Sequence, residues 1–406
     1  LSGSIPERFL GLNCLTQLCL EDKIMLEGSI PSSLGRLTSL KTLSLSGNLL
    51  QGQLPPTLGS IKGLLQINMG RNLLTGPIPS AFSSLHSLES LDLSKNMLSG
   101  EIPGFVGKYQ NLTFVDLSNN QFSGEIPLSL CSLSNAMDIS LSQNKLTGQI
   151  PHQIDGLKSL TSPSLGANLL SGSIPESLGK LQKLWYLNLS RNGFSDPLPN
   201  ELPNGLPSLS SIDLSYNDLH LQTISDWIRC RELRDVHSRE LTDVHLAACH
   251  IRGNLKPFTS PESLNSLDLS ENYLTGEIGE FFTNMTSLLQ LPDLHMNQLY
   301  GSVSGLLQKA NNLQRIDLSR NQIKGMIPPS MGQMMKLEWL DLSSNRLNGS
   351  VPNNLTRLLN IRHASFGANR LCGQIPQSRP FNIFPTAAYA HNMCLCGQPL
   401  SPCKKP

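Results

Sequence analysis

The chain of 406 residues has few charged side chains and no excess of either sign. Charged residues make up 15% of the sequence and the formal net charge is +1 at pH 7, whereas about a quarter of an average soluble domain is charged. The absence of a basic stripe that would neutralise phosphates argues against nucleic acid as a partner. The sequence also lacks a run of about 18 apolar residues, so it contains no predicted membrane span.

Signatures of catalysis are missing as well. The sequence has no nucleophile elbow, no G-x-G-x-x-G, no phosphate-binding loop and no H-E-x-x-H helix. Its nine histidines fall at different points along the chain. The sequence therefore predicts a protein that is not an enzyme, with no catalytic residue, no metal site and no cofactor.

What the chain has in abundance is one repeated asparagine, mostly at a spacing of 24 residues. A fixed period of this length indicates a stack of structural repeats, which exposes a long surface in place of one deep cleft. The repeated positions are Asn48, Asn72, Asn96, Asn120, Asn144, Asn168, Asn192, Asn217, Asn272, Asn297, Asn321, Asn345 and Asn369.

The residues around each asparagine predict one coil of the stack. In residues 112–120 the apolar side chains Val115 and Leu117 alternate with polar ones, which indicates a short half-buried strand. The chain must then turn inside the stack, where each unpaired backbone group costs about 1–3 kcal/mol. An asparagine side chain both donates and accepts, so Asn120 and its equivalents are expected to form a hydrogen-bonded ladder. Gly124 then permits a tight bend, and the following Ile-Pro pair begins a helical turn.

The pattern LxxLxLxxNxLxGxIP resembles the plant-type leucine-rich repeat and covers residues 1–376. The resemblance implies an α/β solenoid, a curved right-handed superhelix with a parallel β-sheet on its concave face. About fifteen repeats are expected, with strands from around Leu18 to around Phe366. The family's N-terminal cap, a cysteine-paired helical segment, has no match here, so we expect a fragment or an incomplete gene model.

Four of the nine cysteines lie close to the C-terminus, and four cysteines allow three pairings. Residues 377–406 resemble the C-terminal cap of plant extracellular leucine-rich repeat proteins, above all the polygalacturonase-inhibiting proteins. The resemblance implies disulfides Cys372–Cys394 and Cys396–Cys403, which would close the last coil. The scattered cysteines are predicted to be buried free thiols: Cys14, Cys19, Cys131, Cys230 and Cys249.

Five N-x-S/T sequons accompany the cysteines and favour a secreted or cell-surface glycoprotein. Asn111 and Asn284 are the preferred glycosylation sites, followed by Asn348 and Asn354. Asn188 ranks last because it falls on a predicted strand.

Two irregularities interrupt the repeat. Residues 231–238 (RELRDVHS) are followed at once by residues 239–246 (RELTDVHL). Only one copy can be the strand, and we favour a local duplication artefact over a functional insertion. Pro163 and Pro292 occupy strand positions, where proline cannot donate a ladder hydrogen bond.

A solenoid of this kind usually binds its partners on the concave sheet. Exposed aromatic residues and arginines are the side chains most enriched at binding hot spots. Counting back from each asparagine predicts ligand-binding residues at Phe114, Trp185, Tyr186, Arg191, Tyr216, Arg315, Arg320, Trp339, Arg362 and His363, with His245 also facing outward. Trp185, Tyr186, Arg191 and Tyr216 are expected to form the strongest cluster, and the five C-terminal residues from Arg315 to His363 form a second.

Aspartates that share one strand position are expected to form an acidic row. The LDLS consensus explains this row without catalysis. Its members are Asp92, Asp116, Asp213, Asp268, Asp317 and Asp341.

The resemblance implies an extracellular recognition module of a plant receptor-like protein, which binds a peptide or protein ligand; a co-receptor ectodomain is a further candidate partner. The alternative is a secreted inhibitor of a pathogen cell-wall-degrading enzyme, similar to the polygalacturonase-inhibiting proteins. Those inhibitors have about ten repeats, fewer than this chain. We expect the chain to end at its cap as a secreted protein. A plant antifreeze protein is a remote third interpretation, because the outward positions do not form a flat Thr- or Asn-rich array.

Overall fold

The fold is that of a repeat protein, seen in a computed structural model. The structure describes residues 2–5, 12, 14–21, 25–195, 198–199, 202, 206–220, 241–255, 264–284, 289–303 and 312–403. The chain divides into two compact units, Leu1–Leu209 and Ser210–Pro406. Each unit is a series of coils, and most of them have the internal order of strand, turn, second strand and short helix.

In each unit the first strand of each coil joins a parallel sheet, in which alternate residues face the core and the surface. We refer to the outward-pointing side chains of these strands as the sheet face. The first unit contributes eight strands: Gln17–Cys19, Thr42–Ser44, Gln66–Asn68, Ser90–Asp92, Phe114–Asp116, Asp138–Ser140, Ser162–Ser164 and Tyr186–Asn188. The second contributes seven: Ser211–Asp213, Asp243–His245, Ser266–Asp268, Leu291–Asp293, Arg315–Asp317, Trp339–Asp341 and His363–Ser365. The predicted solenoid with a parallel sheet is confirmed.

A second strand follows the asparagine in most coils and forms separate, smaller parallel sheets. In the first unit these strands are Ser2–Gly3, Met25–Ser29, Leu49–Gln53, Leu73–Gly76, Met97–Glu101, Gln121–Glu125, Lys145–Thr147, Ser171–Gly172 and Gly193–Phe194. In the second unit they are Arg252–Asn254, Tyr273–Thr275, Lys324–Met326, Arg346–Gly349, Arg370–Gln374 and Cys394–Cys396.

Short 3-10 helices close the coils, and each begins directly after a proline. Proline fixes φ near the helical value, and its missing N–H costs nothing at a helix start. The helices are Ser32–Arg36, Pro56–Ser60, Ser80–Ser84, Gly104–Lys108, Leu128–Ser132, His152–Gly156, Glu176–Lys180, Pro329–Gln333, Asn353–Arg357 and Thr386–Ala388. Where Ile278-Gly279 stands in place of the Ile-Pro pair, an α-helix, Ile278–Asn284, takes the place of the 3-10 helix.

Each repeated asparagine lies at the turn between the two strands of its coil. The Asn120 amide donates to the carbonyls of Leu117 and Ser118 in its own coil and Leu93 in the preceding one. Its Oδ1 accepts the backbone N–H of Leu98, also in the preceding coil. Equivalent bonds recur along both units. The side chain therefore pairs turn groups that would otherwise be buried without partners.

Glycine is required at the bend of the second strand. Gly124 has φ of 77°, and the same position is positive in neighbouring coils. L-residues with a side chain rarely adopt this conformation. A different glycine, Gly107, lies within the 3-10 helix Gly104–Lys108, where an added Cβ would clash with the Ser129 backbone of the next 3-10 helix.

The two prolines in sheet strands do not abolish the strands. Ser162–Ser164 pairs over three residues with the strand before it, but only Ser164 is in register with the strand after it. Leu291–Asp293 behaves in the same way, with Asp293 as the only pair to the following strand. Because proline has no N–H, it weakens pairing on one side only.

The second copy of the duplicated octapeptide supplies a sheet strand, Asp243–His245. Its three residues pair with Ser211–Asp213 and with Ser266–Asp268. The first copy lies outside the described residues.

The C-terminal segment continues the second unit and covers its last coil. Cys394–Cys396 pairs in parallel with Arg370–Gln374, and disulfides join Cys372 to Cys394 and Cys396 to Cys403. Phe366, Phe381 and Tyr389 are buried together beneath it. The predicted disulfide pairing is confirmed. Among the described residues, no helix is both long and apolar enough to cross a bilayer.

Candidate binding surface

Three residues from consecutive strands form a stack on the sheet face of the second unit. The Arg315 guanidinium lies 4.7 Å from the centre of the Trp339 ring, and the His363 ring stacks on Trp339 at 3.7 Å with 13° between the planes. The strands bring them together because Arg315, Trp339 and His363 are paired in register. Cation–π and ring stacking contacts of this kind fix the side chains in one arrangement.

The stack borders a cavity of about 430 Å³. Its lining residues are Leu291, Gln314, Arg315, Glu338, Trp339, Arg362 and His363. Four of the five residues predicted for the C-terminal cluster therefore lie at one place.

Every basic side chain of this cavity is matched by a carboxylate. Arg315 Nη2 lies 3.2 Å from Asp293 Oδ2 and 3.3 Å from Asp317 Oδ2. Arg362 lies 3.5 Å from Glu338, and His363 Nε2 lies 3.7 Å from Asp341. The basic groups of the cavity are therefore already paired, and its aromatic and apolar surface is what it offers to a ligand.

Next to this cavity, His295 pairs with Asp293 through Nδ1 and Oδ1 at 2.7 Å. This hydrogen bond raises the pKa of His295 above its ordinary value, although burial of the ring opposes the shift. Burial alone would raise the pKa of Asp293, but the hydrogen bonds and charges of His295 and Arg315 outweigh it and lower the pKa. Asp317 differs, because its burial and the neighbouring Asp293 charge raise its pKa.

The acidic row has a structural task in the turn after the strand. Asp268 Oδ1 accepts the backbone N–H and the hydroxyl of Ser270, and Asp92 does the same for Ser94. Asp116, Asp213, Asp317 and Asp341 also accept the N–H two residues on. In the second unit Asp293 joins the row between Asp268 and Asp317.

The predicted residues of the first unit lie on or beside its sheet face. Trp185, directly before the strand Tyr186–Asn188, is 43% exposed, and its ring lies 5.8 Å from that of the half-buried Tyr186. Phe114 begins its strand and is 36% exposed. Tyr216 belongs to the second unit, where its hydroxyl lies 3.3 Å from Glu271 Oε1, so a joint cluster with Trp185 stays a prediction.

The assignment of three residues to outward strand positions was wrong. Arg191, Tyr216 and Arg320 lie in the turn directly before the ladder asparagine, with φ of 53°, 59° and 55°. The strands end earlier because the turn requires a left-handed residue at this place in every coil. Arg320 does not line the cavity; its guanidinium lies 3.6 Å from the Met296 sulfur.

The sequons occupy different environments. Asn111, Asn348 and Asn354 are exposed, and Asn284 is the last residue of the α-helix. Asn188 lies on a sheet strand and accepts hydrogen bonds from Ser190 through Oδ1. Glycosylation at these sites stays a prediction.

The prediction that the scattered thiols are buried was wrong for two of them. Cys14 and Cys19 are exposed, whereas Cys131 and Cys249 are buried. Burial raises the pKa of Cys131 to about 11 and that of Cys249 to about 12, so both remain protonated thiols at neutral pH. Cys19 is exposed because it points outward at the end of its strand. Cys230 lies outside the described residues.

Sequence reasoning missed four residues of these sites. Glu338 precedes its strand, at a position where the repeat has no consensus residue. Asp293 was missed because Pro292 makes its strand depart from the consensus. His295 replaces the serine of the consensus turn. Asn392 acts as a further ladder residue and donates to Phe366 and Tyr389 carbonyls; its spacing of 23 residues from Asn369 was the available signal.

Comparisons with known proteins agree with this architecture. A leucine-rich repeat family model matches residues 38–98 and 293–347, and a second one matches residues 111–133, 183–204 and 263–285. Among curated proteins, none matches the chain significantly.

Several solved structures share the fold. The Arabidopsis receptor kinase HAESA, in complex with the peptide hormone IDA and the co-receptor SERK1, has 32% identity and a TM-score of 0.77 over 97% of this chain and 64% of its own. A TDR receptor has 30% identity and a TM-score of 0.79 over 97% and 65%. The ectodomain of GASSHO1/SCHENGEN3 from Arabidopsis thaliana, in complex with CASPARIAN STRIP INTEGRITY FACTOR 2, has 28% identity and a TM-score of 0.74 over 99% and 53%.

The repeats, the cap disulfides and these similarities define one class: the chain is a plant-type extracellular leucine-rich repeat protein. It spans between about half and two thirds of the length of the receptor ectodomains that it matches.

Proposed function

We propose that this chain is the ligand-recognition part of a plant receptor-like protein. It binds a peptide or protein ligand on the sheet face of its second unit, without catalysing a reaction. The observation that carries this proposal is the Arg315–Trp339–His363 stack beside an open cavity. The leucine-rich repeat requires no large side chain at these outward positions, so the scaffold does not explain the stack.

The fixed geometry of the stack supports binding. Arg315 is held by two carboxylates and by the Trp339 ring, and His363 by the ring and Asp341. Because these side chains are already held in place, little side-chain entropy is lost when a ligand binds in the cavity, and this improves affinity. Aromatic and arginine side chains in such a pocket are the usual hot spots of protein recognition.

The charge pattern limits the ligand. Because the basic groups are already paired, the cavity favours an apolar or aromatic side chain of the ligand rather than a cluster of acidic ones. The similar HAESA structure, which holds the peptide hormone IDA, supports a peptide as the ligand class.

A displayed library of random peptides tests the proposal. Panning on the purified chain is expected to enrich peptides with apolar anchors. Trp339→Ala should weaken the selected peptides about 30-fold, which corresponds to about 2 kcal/mol. Binding is measured by surface plasmon resonance on the immobilised chain.

Tyr300→Ala is the matched control, because Tyr300 is 50% exposed in the same unit but lies outside the sheet strands and the cavity. Circular dichroism establishes that both variants are folded. Equal affinity for Trp339→Ala and the parent chain would overturn the proposal. Loss only in Trp185→Ala would move the site to the first unit, and inhibition of a fungal polygalacturonase would favour the inhibitor alternative.

A further inference from the structure

Two histidines and an aspartate meet on the surface of the second unit, at positions that the repeat makes equivalent. Asp218 directly follows the ladder residue Asn217, and His250 directly follows Cys249, which takes the ladder position of the next coil. His220 lies two residues beyond Asp218. Adjacent coils therefore stack Asp218 against His250, and His220 is brought alongside.

The potential ligand atoms of this cluster lie close together. His250 Nδ1 is 2.6 Å from Asp218 Oδ1, and His220 Nδ1 is 3.3 Å from the same oxygen. One ligand atom from each of the three residues falls within 4.8 Å of the others. In a tetrahedral zinc site with bonds of about 2.0–2.2 Å, ligand atoms are separated by about 3.3–3.6 Å. Small side-chain rotations are enough to reach that separation.

We propose that Asp218, His220 and His250 form a binding site for a divalent transition-metal ion of the zinc class. Two imidazoles and one carboxylate suit Zn²⁺, and imidazole nitrogen disfavours Mg²⁺ and Ca²⁺, which prefer oxygen ligands. The metal replaces the hydrogen bonds from the His250 ring to Asp218 and from the His220 ring to the Asp218 carbonyl. Three protein ligands leave a fourth position open for water or another ligand.

Neighbouring rings orient the two imidazoles. His220 and His250 stack with centres 5.3 Å apart and 21° between planes, and Tyr273 continues the stack at 5.9 Å from His250. The Arg252 guanidinium lies over the Tyr273 ring, 5.5 Å from the ring centre. Groups that hold the ring planes of metal ligands raise metal affinity, because fewer orientations are lost on binding.

The only other such grouping in the described part of the chain is Asp293, His295 and Asp317. There the Arg315 guanidinium already lies within 3.3 Å of both carboxylates. A second cation would have to displace it from Trp339 as well, so this grouping is the poorer site. Cys249, beside His250, is also no ligand, because its sulfur is buried and donates to the Leu214 carbonyl.

Sequence alone predicted no metal site. His220 and His250 are 30 residues apart and match no zinc motif. Only the stacking of coils places them side by side.

Calorimetric titration of the full metal-free chain with Zn²⁺ alone is the direct test. One equivalent is expected to bind, and His250→Ala and His220→Ala should each weaken binding at least about tenfold. Co²⁺ gives a second readout, since its visible absorption reports nitrogen ligands and tetrahedral geometry. All three side chains are exposed or half-buried, so the variants are expected to remain folded, and circular dichroism checks this.

His86→Ala is the matched control, because His86 is an exposed histidine of the first unit; it should leave the Zn²⁺ affinity unchanged. Unaltered affinity in the His220→Ala/His250→Ala double variant overturns the proposal. Loss of binding in His295→Ala but not in His250→Ala also overturns it and assigns the ion to the other grouping. The proposal is also overturned if the parent chain binds no Zn²⁺.

Discussion

At the residue scale, the ladder asparagine combines a donor and an acceptor that no other side chain of its size provides. Its amide satisfies carbonyls in two coils, and its Oδ1 accepts the N–H two residues beyond the preceding ladder position. At Cys249 the sulfur donates to Leu214 O and Ala247 O. However, sulfur is a weak acceptor. The backbone N–H that a ladder asparagine at this position would accept lies two residues beyond Asn217, on Leu219, which is fully buried.

Cys249→Asn is therefore expected to stabilise the protein. The new Oδ1 would accept the Leu219 N–H, a buried group whose pairing contributes about 1 kcal/mol. Thermal denaturation followed by circular dichroism should show a higher midpoint. Cys131→Asn is the control: that buried cysteine lies in a 3-10 helix rather than in the ladder, so the same exchange should destabilise. A lower midpoint for Cys249→Asn would contradict the ladder explanation.

The Asp293–His295 pair makes stability depend on pH. The raised pKa of His295 adds stability that is fully present below about 6.5, the ordinary value, and is lost as pH rises through the folded pKa. The lowered pKa of Asp293 adds stability that is present above about 3.9 and is lost as pH falls through its folded pKa. Both contributions to stability are therefore present together in mildly acidic solution.

His295→Ala should consequently lower the melting midpoint more at about pH 5.5 than at about pH 8.5. The measurement is a series of thermal melts of parent and variant across this range. His86→Ala, which removes an exposed histidine of the first unit, serves for comparison. A difference between parent and His295→Ala that is constant with pH would refute the assigned ion pair.

At the scale of elements, most strands and helices follow from local chemistry. The alternation L-x-L predicts the strand, the asparagine its end, and Ile-Pro the start of the helix, and all three are seen in residues 112–132. The limits of the strands were predicted less well. Arg191, Tyr216 and Arg320 were counted as strand residues, although the turn needs a left-handed φ there. Their side chains carry no signal of that backbone constraint.

Pro163→Val is expected to restore pairing between Ser162–Ser164 and Tyr186–Asn188, where only Ser164 and Asn188 are now in register. The added N–H should contribute about 1 kcal/mol and slow amide exchange near the new bond, measured by hydrogen–deuterium exchange with mass spectrometry.

Val115→Pro is the reverse change in a strand that pairs over three residues on both sides. It removes one ladder hydrogen bond, so it should destabilise by at least about 1 kcal/mol and increase exchange in that region. Unchanged exchange in both variants would show that the missing N–H does not limit pairing.

At the scale of the whole molecule, each coil buries its apolar side chains against the coils beside it, so the last coil needs a cover. The cap supplies this cover through Phe381 and Tyr389, packed on Phe366, and through one further parallel strand. Two disulfides hold it, with sequence separations of 22 and 7 residues.

Cys372→Ser/Cys394→Ser should lower the free energy of unfolding by about 3 kcal/mol, and Cys396→Ser/Cys403→Ser by about 2 kcal/mol, because the longer loop loses more entropy when it is closed. Calorimetry of the two double variants measures which of them loses more free energy of unfolding. Deuterium uptake should rise first in residues 366–396. An equal or reversed ranking would show that loop entropy does not dominate the effect.

The sequence by itself determined the coil. The asparagine period, the glycine bend and the Ile-Pro helix start are local requirements of backbone geometry and hydrogen bonding, so they can be read from any single repeat. Tertiary structure decided what lies next to what across coils. Arg315, Trp339 and His363 become one stack, and Asp218, His220 and His250 one cluster, only because parallel strands align residues about one coil apart. Such contacts depend on the register between coils and on side-chain rotamers, which the repeat pattern constrains only at its consensus positions.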